Sequence, residues 1–190
     1  MWPWGHLAVG YVAFSALVRM QPEAELSDRA VVVLAVATQL PDLVDKPLAW
    51  QFGLLNNGIG VAHSLLVGLP LALTAGLVLW GTRRRQLGAA VVIGYGSHVL
   101  ADLLFGALFS ESPLLPAFLW PLYGTSPSTT PGLGPKVWAL LSDSRALLGT
   151  ATGRVYFALE ALLLVSTVVL WVADGIPGLG PVRRVGRRRR

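Results

Sequence analysis

The chain has 190 residues, of which 54% are hydrophobic and only 13% charged, with a formal net charge of +5. A soluble domain is usually about 45–50% apolar and roughly 25% charged, so an ordinary water-soluble globule is not expected and intrinsic disorder is excluded. Cysteine is absent, which removes disulfides, thiolate metal sites and cysteine nucleophiles together and leaves histidine and carboxylate to hold any metal.

In chain order, Met1-Trp2-Pro3-Trp4 carries no basic residue, so no cleavable signal peptide is expected. Two apolar runs follow, Gly5 to Val18 and Ala30 to Leu40. Both read as membrane-embedded helices, the second ending before Pro41, because the residue preceding proline avoids the helical region. The turn cluster Asn56-Asn57-Gly58 precedes Val61 to Gly81, which holds no Asp, Glu, Lys or Arg. At about 20 apolar residues it is long enough to cross a bilayer, with a kink expected at Pro70. Leu87 to Phe109 is interrupted by no charge but Asp102, and Val155 to Ala173 by none but Glu160. Between these two, residues 110–135 hold six prolines (113, 116, 121, 127, 131 and 135) and read as an irregular loop, followed by a short interfacial helix near Lys136 to Leu148. The expected fold is all-α, a multi-pass transmembrane bundle of about five helices over residues 1–176. A basic tail over 177–190 carries six arginines (Arg183, Arg184 and Arg187 to Arg190).

Those arginines set the orientation. With the C-terminus in the cytoplasm, five spans put Arg19, Arg29, Arg83 to Arg85 and the tail inside, eleven basic residues, against Lys46, Lys136, Arg145 and Arg154 outside. The tail reads as a membrane anchor rather than a nucleic-acid contact. The same threading gathers the chain's three histidines. His6 and His63 open helices at their outer ends, and His98 lies past mid-membrane with Asp102 one turn beyond on the same face. Asp42 and Asp45 close the second helix at that level. Each has a bland reading: His98 and Asp102 as a structural pair, Asp42 as a helix stop, Asp45-Lys46 as a solvated turn. Six at one depth favour a shared metal site, because an intramembrane carboxylate costs about 2.5–3.5 kcal/mol and needs a partner. Mixed His/Asp ligation suits zinc first, then manganese or iron, with magnesium open to carboxylate-rich subsites. Glu160 lies near this depth and either snorkels outward, pairs with Arg154, or accepts a hydrogen bond from a ligating imidazole.

His6 in WPWGHLAVGY, the LPDLVDK segment from Leu40 to Lys46, Ala62-His63-Ser64 and GSHVLADLL from Gly96 to Leu104 resemble, in order and spacing, the membrane-bound metal-dependent hydrolase family. The resemblance covers Trp2 to Phe109. Lys46 stands where relatives often carry a further histidine. A more distant similarity runs to zinc-dependent phospholipase C, whose later His-x-x-x-Glu has no counterpart here. The resemblance implies a divalent metal held by His6, Asp42, Asp45, His63, His98 and Asp102, with Asp42 and Asp45 supplying a ligand and a general base in either order. It also implies hydrolysis of a phosphoester. The expected partners are membrane lipids and a small-molecule or lipid substrate met at the outer face, without nucleic acid. The alternative is a non-enzymatic membrane protein whose His/Asp cluster binds or conducts metal ions or protons.

Overall fold

A computed structural model describes residues 1–21, 24–55, 58–109, 115–123 and 132–180. Asn56, Asn57, Pro113, Pro127, Pro131 and the six tail arginines lie outside the described residues. Among the described residues there are seven helices and no strands: α1 (Pro3–Arg19), α2 (Asp28–Trp50), α3 (Gly68–Gly81), α4 (Arg85–Phe109), α5 (Leu115–Phe118), α6 (Leu133–Leu148) and α7 (Ala151–Ala173). Two of them, Arg85–Leu108 and Ala151–Ala173, are long and apolar enough to cross a membrane, and Gly68–Gly81 is a shorter apolar helix. Along α7 the large side chains Val155, Leu159, Leu162, Val165, Val169 and Val172 are all exposed. A soluble monomer does not leave an apolar face of that length in water.

Two expected boundaries are corrected. The second helix does not stop before Pro41 but runs through Pro41 and Pro47 to Trp50. Proline inside an apolar helix is tolerated when neighbours satisfy or shield the freed backbone groups, and Pro41 is buried against the bundle. The third helix starts at Gly68, not Val61, so His63 lies in the turns ahead of it and Pro70 falls in its first turn, where no kink is required. The cause is local competition for backbone N–H groups. The Ser64 hydroxyl accepts from the N–H groups of Leu66 (3.0 Å) and Val67 (3.1 Å), and a carboxylate takes those of residues 60, 62 and 63.

Helix α4 is the hub, packing against α1, α2 and α3, and most extensively against α2. Gly94 permits it: a β-carbon there would stand 2.9 Å from the Leu34 carbonyl oxygen and 3.2 Å from the Thr38 nitrogen. Small residues at such crossings let backbones meet. Below this crossing Tyr11, Phe14, Val18, Ala30, Leu34 and Ala90 form a buried apolar core.

Helices α1 and α7 are tied at the end of that core. Tyr11 and Ser15 each donate to Asp174 Oδ2 at 2.7 Å, and Arg19 Nε donates to Oδ1 at 3.1 Å. Burial pushes the Asp174 carboxyl up, but the hydrogen bonds from Ser15, Tyr11 and Arg19 outweigh it and hold the group below its ordinary value of 3.8. A carboxylate lowered in the fold adds stability that is complete above pH 3.8 and is lost as the pH falls through the lowered folded value. Asp174→Asn should therefore cost about 1–3 kcal/mol near neutrality. The gap in melting temperature between parent and variant should close in acid, and a constant gap from pH 7 to pH 3 would contradict the clamp.

Candidate metal centre

Asp42 and Asp45 come from the last turns of α2, His63 from the turns before α3, and His98 and Asp102 from one face of α4. One ligand atom each from Asp42, His63, His98 and Asp102 lies within 4.8 Å of all the others. Both imidazoles are sealed, whereas the Asp42 and Asp102 side chains are 10% and 16% exposed, so the approach to the cluster runs past the carboxylates.

Hydrogen-bond chemistry fixes which ring nitrogens face inward. His98 Nδ1 lies 2.6 Å from the Thr38 carbonyl, which accepts only, so this nitrogen carries the proton. The ladder is loosened at that turn, because Pro41 lacks the N–H that would bind the Ala37 carbonyl. His63 Nδ1 lies 2.8 Å from Asp45 Oδ2 and donates to it. In the neutral rings both Nε2 atoms are then bare lone pairs, yet they face each other at 3.2 Å. Asp102 Oδ2 stands 3.5 Å from each of them, and Asp42 Oδ1 stands 3.6 Å from His63 and 3.8 Å from His98. With both rings neutral, four electron-pair donors converge, and a set of two imidazoles and two carboxylates could hold a divalent metal ion.

The other sequence-derived residues stand around this group. Asp45 is fully buried behind His63. It accepts from the backbone N–H groups of Gly60 (2.8 Å), Ala62 (3.0 Å) and His63 (2.9 Å) as well as from the His63 ring. His6 stacks on His98 with ring centroids 3.8 Å apart. Its Nε2 is 3.2 Å from Asp102 Oδ1 but off the hydrogen-bonding direction, so neither of its buried ring nitrogens is hydrogen-bonded. The Met1 amine reaches the same oxygen at 3.0 Å. Glu160 is buried rather than snorkelling, and Tyr156 reaches its carboxylate. Its Oε1 has no hydrogen-bond partner and fills the space that a β-carbon at Gly5, beside His6, would need, while Arg154 donates instead to the Gly149 carbonyl.

Four residues that position the site have no role assigned by the motifs, although Lys46 and Ser64 lie within them. Lys46 pairs with Asp42 Oδ2 one turn away. The Tyr95 hydroxyl donates to the Ala62 carbonyl. Ser64 donates to the Trp120 carbonyl, and Leu65 N–H to the Phe118 carbonyl at 2.8 Å, which draws α5 over the cluster. Phe118, fully buried, then sets its ring edge-on to His63 at 6.0 Å. The available signals were weak: a serine directly after a histidine, and a polar Thr38 in an apolar run.

The model of the YdjM inner membrane protein family matches residues 1–176. The chain belongs to that family. Membership in the YdjM family makes it a membrane protein, in accord with the exposed apolar face of α7. The match takes in every residue of the His/Asp cluster and stops short of the arginine-rich tail. No curated protein and no solved structure matches the chain.

Proposed function

We propose that this YdjM-family protein is a membrane-embedded, metal-dependent hydrolase that cleaves a phosphoester of an amphiphilic or lipid substrate at the outer membrane face. The observation that carries the reading is the convergence of two bare imidazole nitrogens and two carboxylates on one point. His63, His98 and Asp102 hold the ion, zinc in the first instance, and His6 supports it from the Asp102 side. A divalent ion there supplies polarisation of a phosphoryl oxygen and a water acidified from about 15.7 toward 7. Asp45 has its acceptor positions filled by N–H groups, so its part is to orient His63. That leaves Asp42 as the general base, and Lys46 beside it carries the positive charge that faces an incoming phosphate. Resemblance to membrane-bound metal-dependent hydrolases supports the same chemistry.

The apolar core below the cluster weighs against ion or proton conduction. Phe14, Leu34 and Ala90 lie about 12 Å beneath His6, Asp42 and His98 along their helices. A conduction path needs polar groups along the whole span. Purified protein should release phosphate from phosphatidic acid or a phenol from an aryl phosphodiester, with activity lost to a chelator and restored by zinc. Asp42→Asn should lower kcat by about 100–10,000-fold. A protein that binds one equivalent of metal yet hydrolyses neither substrate would instead be an ion-binding or ion-carrying protein.

The reading includes five membrane-embedded helices, α1 to α4 and α7, with the tail in the cytoplasm. A reporter fused after Arg190 should read as cytoplasmic and one inserted between Ser126 and Thr130 as external. The reverse pattern would put the cluster on the inner face.

A further inference from the structure

The end of the bundle opposite the cluster is built differently. A depression of about 830 Å³ between the start of α2 and the α3–α4 turn is lined by Arg29, Arg83, Arg84 and Arg85. Asp28 is the one carboxylate at its wall, and its Oδ1 already accepts the Gly178 N–H at 2.7 Å. None of the four guanidiniums pairs with a carboxylate among the described residues. The walls are held in place: Gln86 accepts from the Ser27 N–H (3.0 Å) and donates to the Glu25 carbonyl (2.7 Å). Arg83 sits in the left-handed region at φ 63, a conformation that a non-glycine residue adopts only when its surroundings impose it.

Val32 and Val33 belong both to this basic depression and to a second groove of about 530 Å³. That groove runs between α2, α3 and α4 past Val36, Leu40 and Ala75 and reaches Val44. Val32 to Val44 is about 18 Å of helix, and the lining is aliphatic apart from Tyr95, whose hydroxyl is engaged with Ala62. A free phosphate would have no use for the groove, and an uncharged hydrocarbon none for the arginines. We propose that the two together bind one anionic glycerophospholipid, its phosphate among Arg29 and Arg83 to Arg85 and one acyl chain along the groove toward Val44. The phosphate end of the site, which sets the preference for an anionic lipid, lies about 20 Å from His98 along α4 and does not depend on the hydrolase reading.

Full-length protein in nonionic detergent, titrated with phosphatidylglycerol, phosphatidylcholine of the same chains, or glycerol 3-phosphate, tests it by native mass spectrometry. Phosphatidylglycerol should be retained at least about tenfold more tightly than phosphatidylcholine, and glycerol 3-phosphate should not be retained. The combined Arg83→Gln, Arg84→Gln and Arg85→Gln variant should lose the preference at an unchanged melting temperature. Replacing the six tail arginines with glutamine should leave it intact, and Ala75→Trp, which fills the groove, should weaken both lipids alike. Equal retention of the two lipids, or of glycerol 3-phosphate and phosphatidylglycerol, would overturn the proposal. So would a preference that survives the triple variant or vanishes with the tail, and so would lipid binding untouched by Ala75→Trp.

Discussion

His98→Ala is expected to strip the protein of its divalent ion, with affinity falling more than about 100-fold. Loss of a group that merely orients a ligand typically costs about 10–100-fold, and His98 supplies a donor atom itself. The ring is held from three sides: Nδ1–H on the Thr38 carbonyl, one face on His6, and Nε2 opposite His63. Asp45 cannot replace it because its oxygens are occupied, and the nearest unbonded ring, His6, already turns Nε2 to Asp102 Oδ1 at 3.2 Å. His63→Ala should behave alike. Thr38→Val is the control, because its hydroxyl bonds the Ala35 carbonyl (2.8 Å) and the acceptor for His98 is the backbone oxygen. Elemental analysis of the purified variants reads the outcome. A full equivalent of metal retained by both histidine variants would remove the centre.

Much of this site was legible because charge placement in a membrane chain carries depth information. Arginine counting gives an expected threading that puts His6, His63, His98, Asp42, Asp45 and Asp102 at one level, and the structure gathers Asp42, His63, His98 and Asp102 within 4.8 Å. His98 and Asp102 at i and i+4 then share a face of α4 by helix geometry. What the chain does not announce is the division of labour between Asp42 and Asp45. Three residues apart on one helix, they read as equivalent, and only the fold of residues 58–67 back onto α2 separates them. That loop presents its N–H groups to Asp45 and leaves Asp42 toward the histidines. The same contacts moved the start of α3 from Val61 to Gly68, a shift that hydropathy cannot register because Val61, Ala62, Leu65 and Leu66 are apolar in either conformation. The continuation of α2 through Pro41 is likewise a tertiary outcome, set by packing against α4 at Gly94.

The division of labour yields the second large effect. Asp45→Asn should reduce metal affinity by about 10–100-fold without removing a single donor atom. Asp45 Oδ2 holds the His63 ring through Nδ1–H and is itself held by the backbone N–H groups of Gly60 and His63. An asparagine amide offers one oxygen where the carboxylate offered two. That oxygen stays at the Oδ2 position, where the N–H groups of Gly60 and His63 and the His63 Nδ1–H all point, and the NH₂ falls at Oδ1 against the Ala62 N–H that donated there at 3.0 Å. Two donors then oppose each other, and the neutral oxygen holds the Nδ1–H more weakly than the carboxylate did. The His63 ring is no longer fixed in one tautomer, which a ring-nitrogen NMR spectrum separates from simple unfolding: His63 should report a mixture of Nδ1–H and Nε2–H forms in the variant and Nδ1–H in the parent. Asp45→Leu should do more damage, leaving three buried N–H groups unsatisfied at about 1–3 kcal/mol each. If Asp45→Asn keeps both the parent tautomer and the parent affinity, Asp45 does not orient His63, and the ring must be fixed by Phe118 and the loop alone.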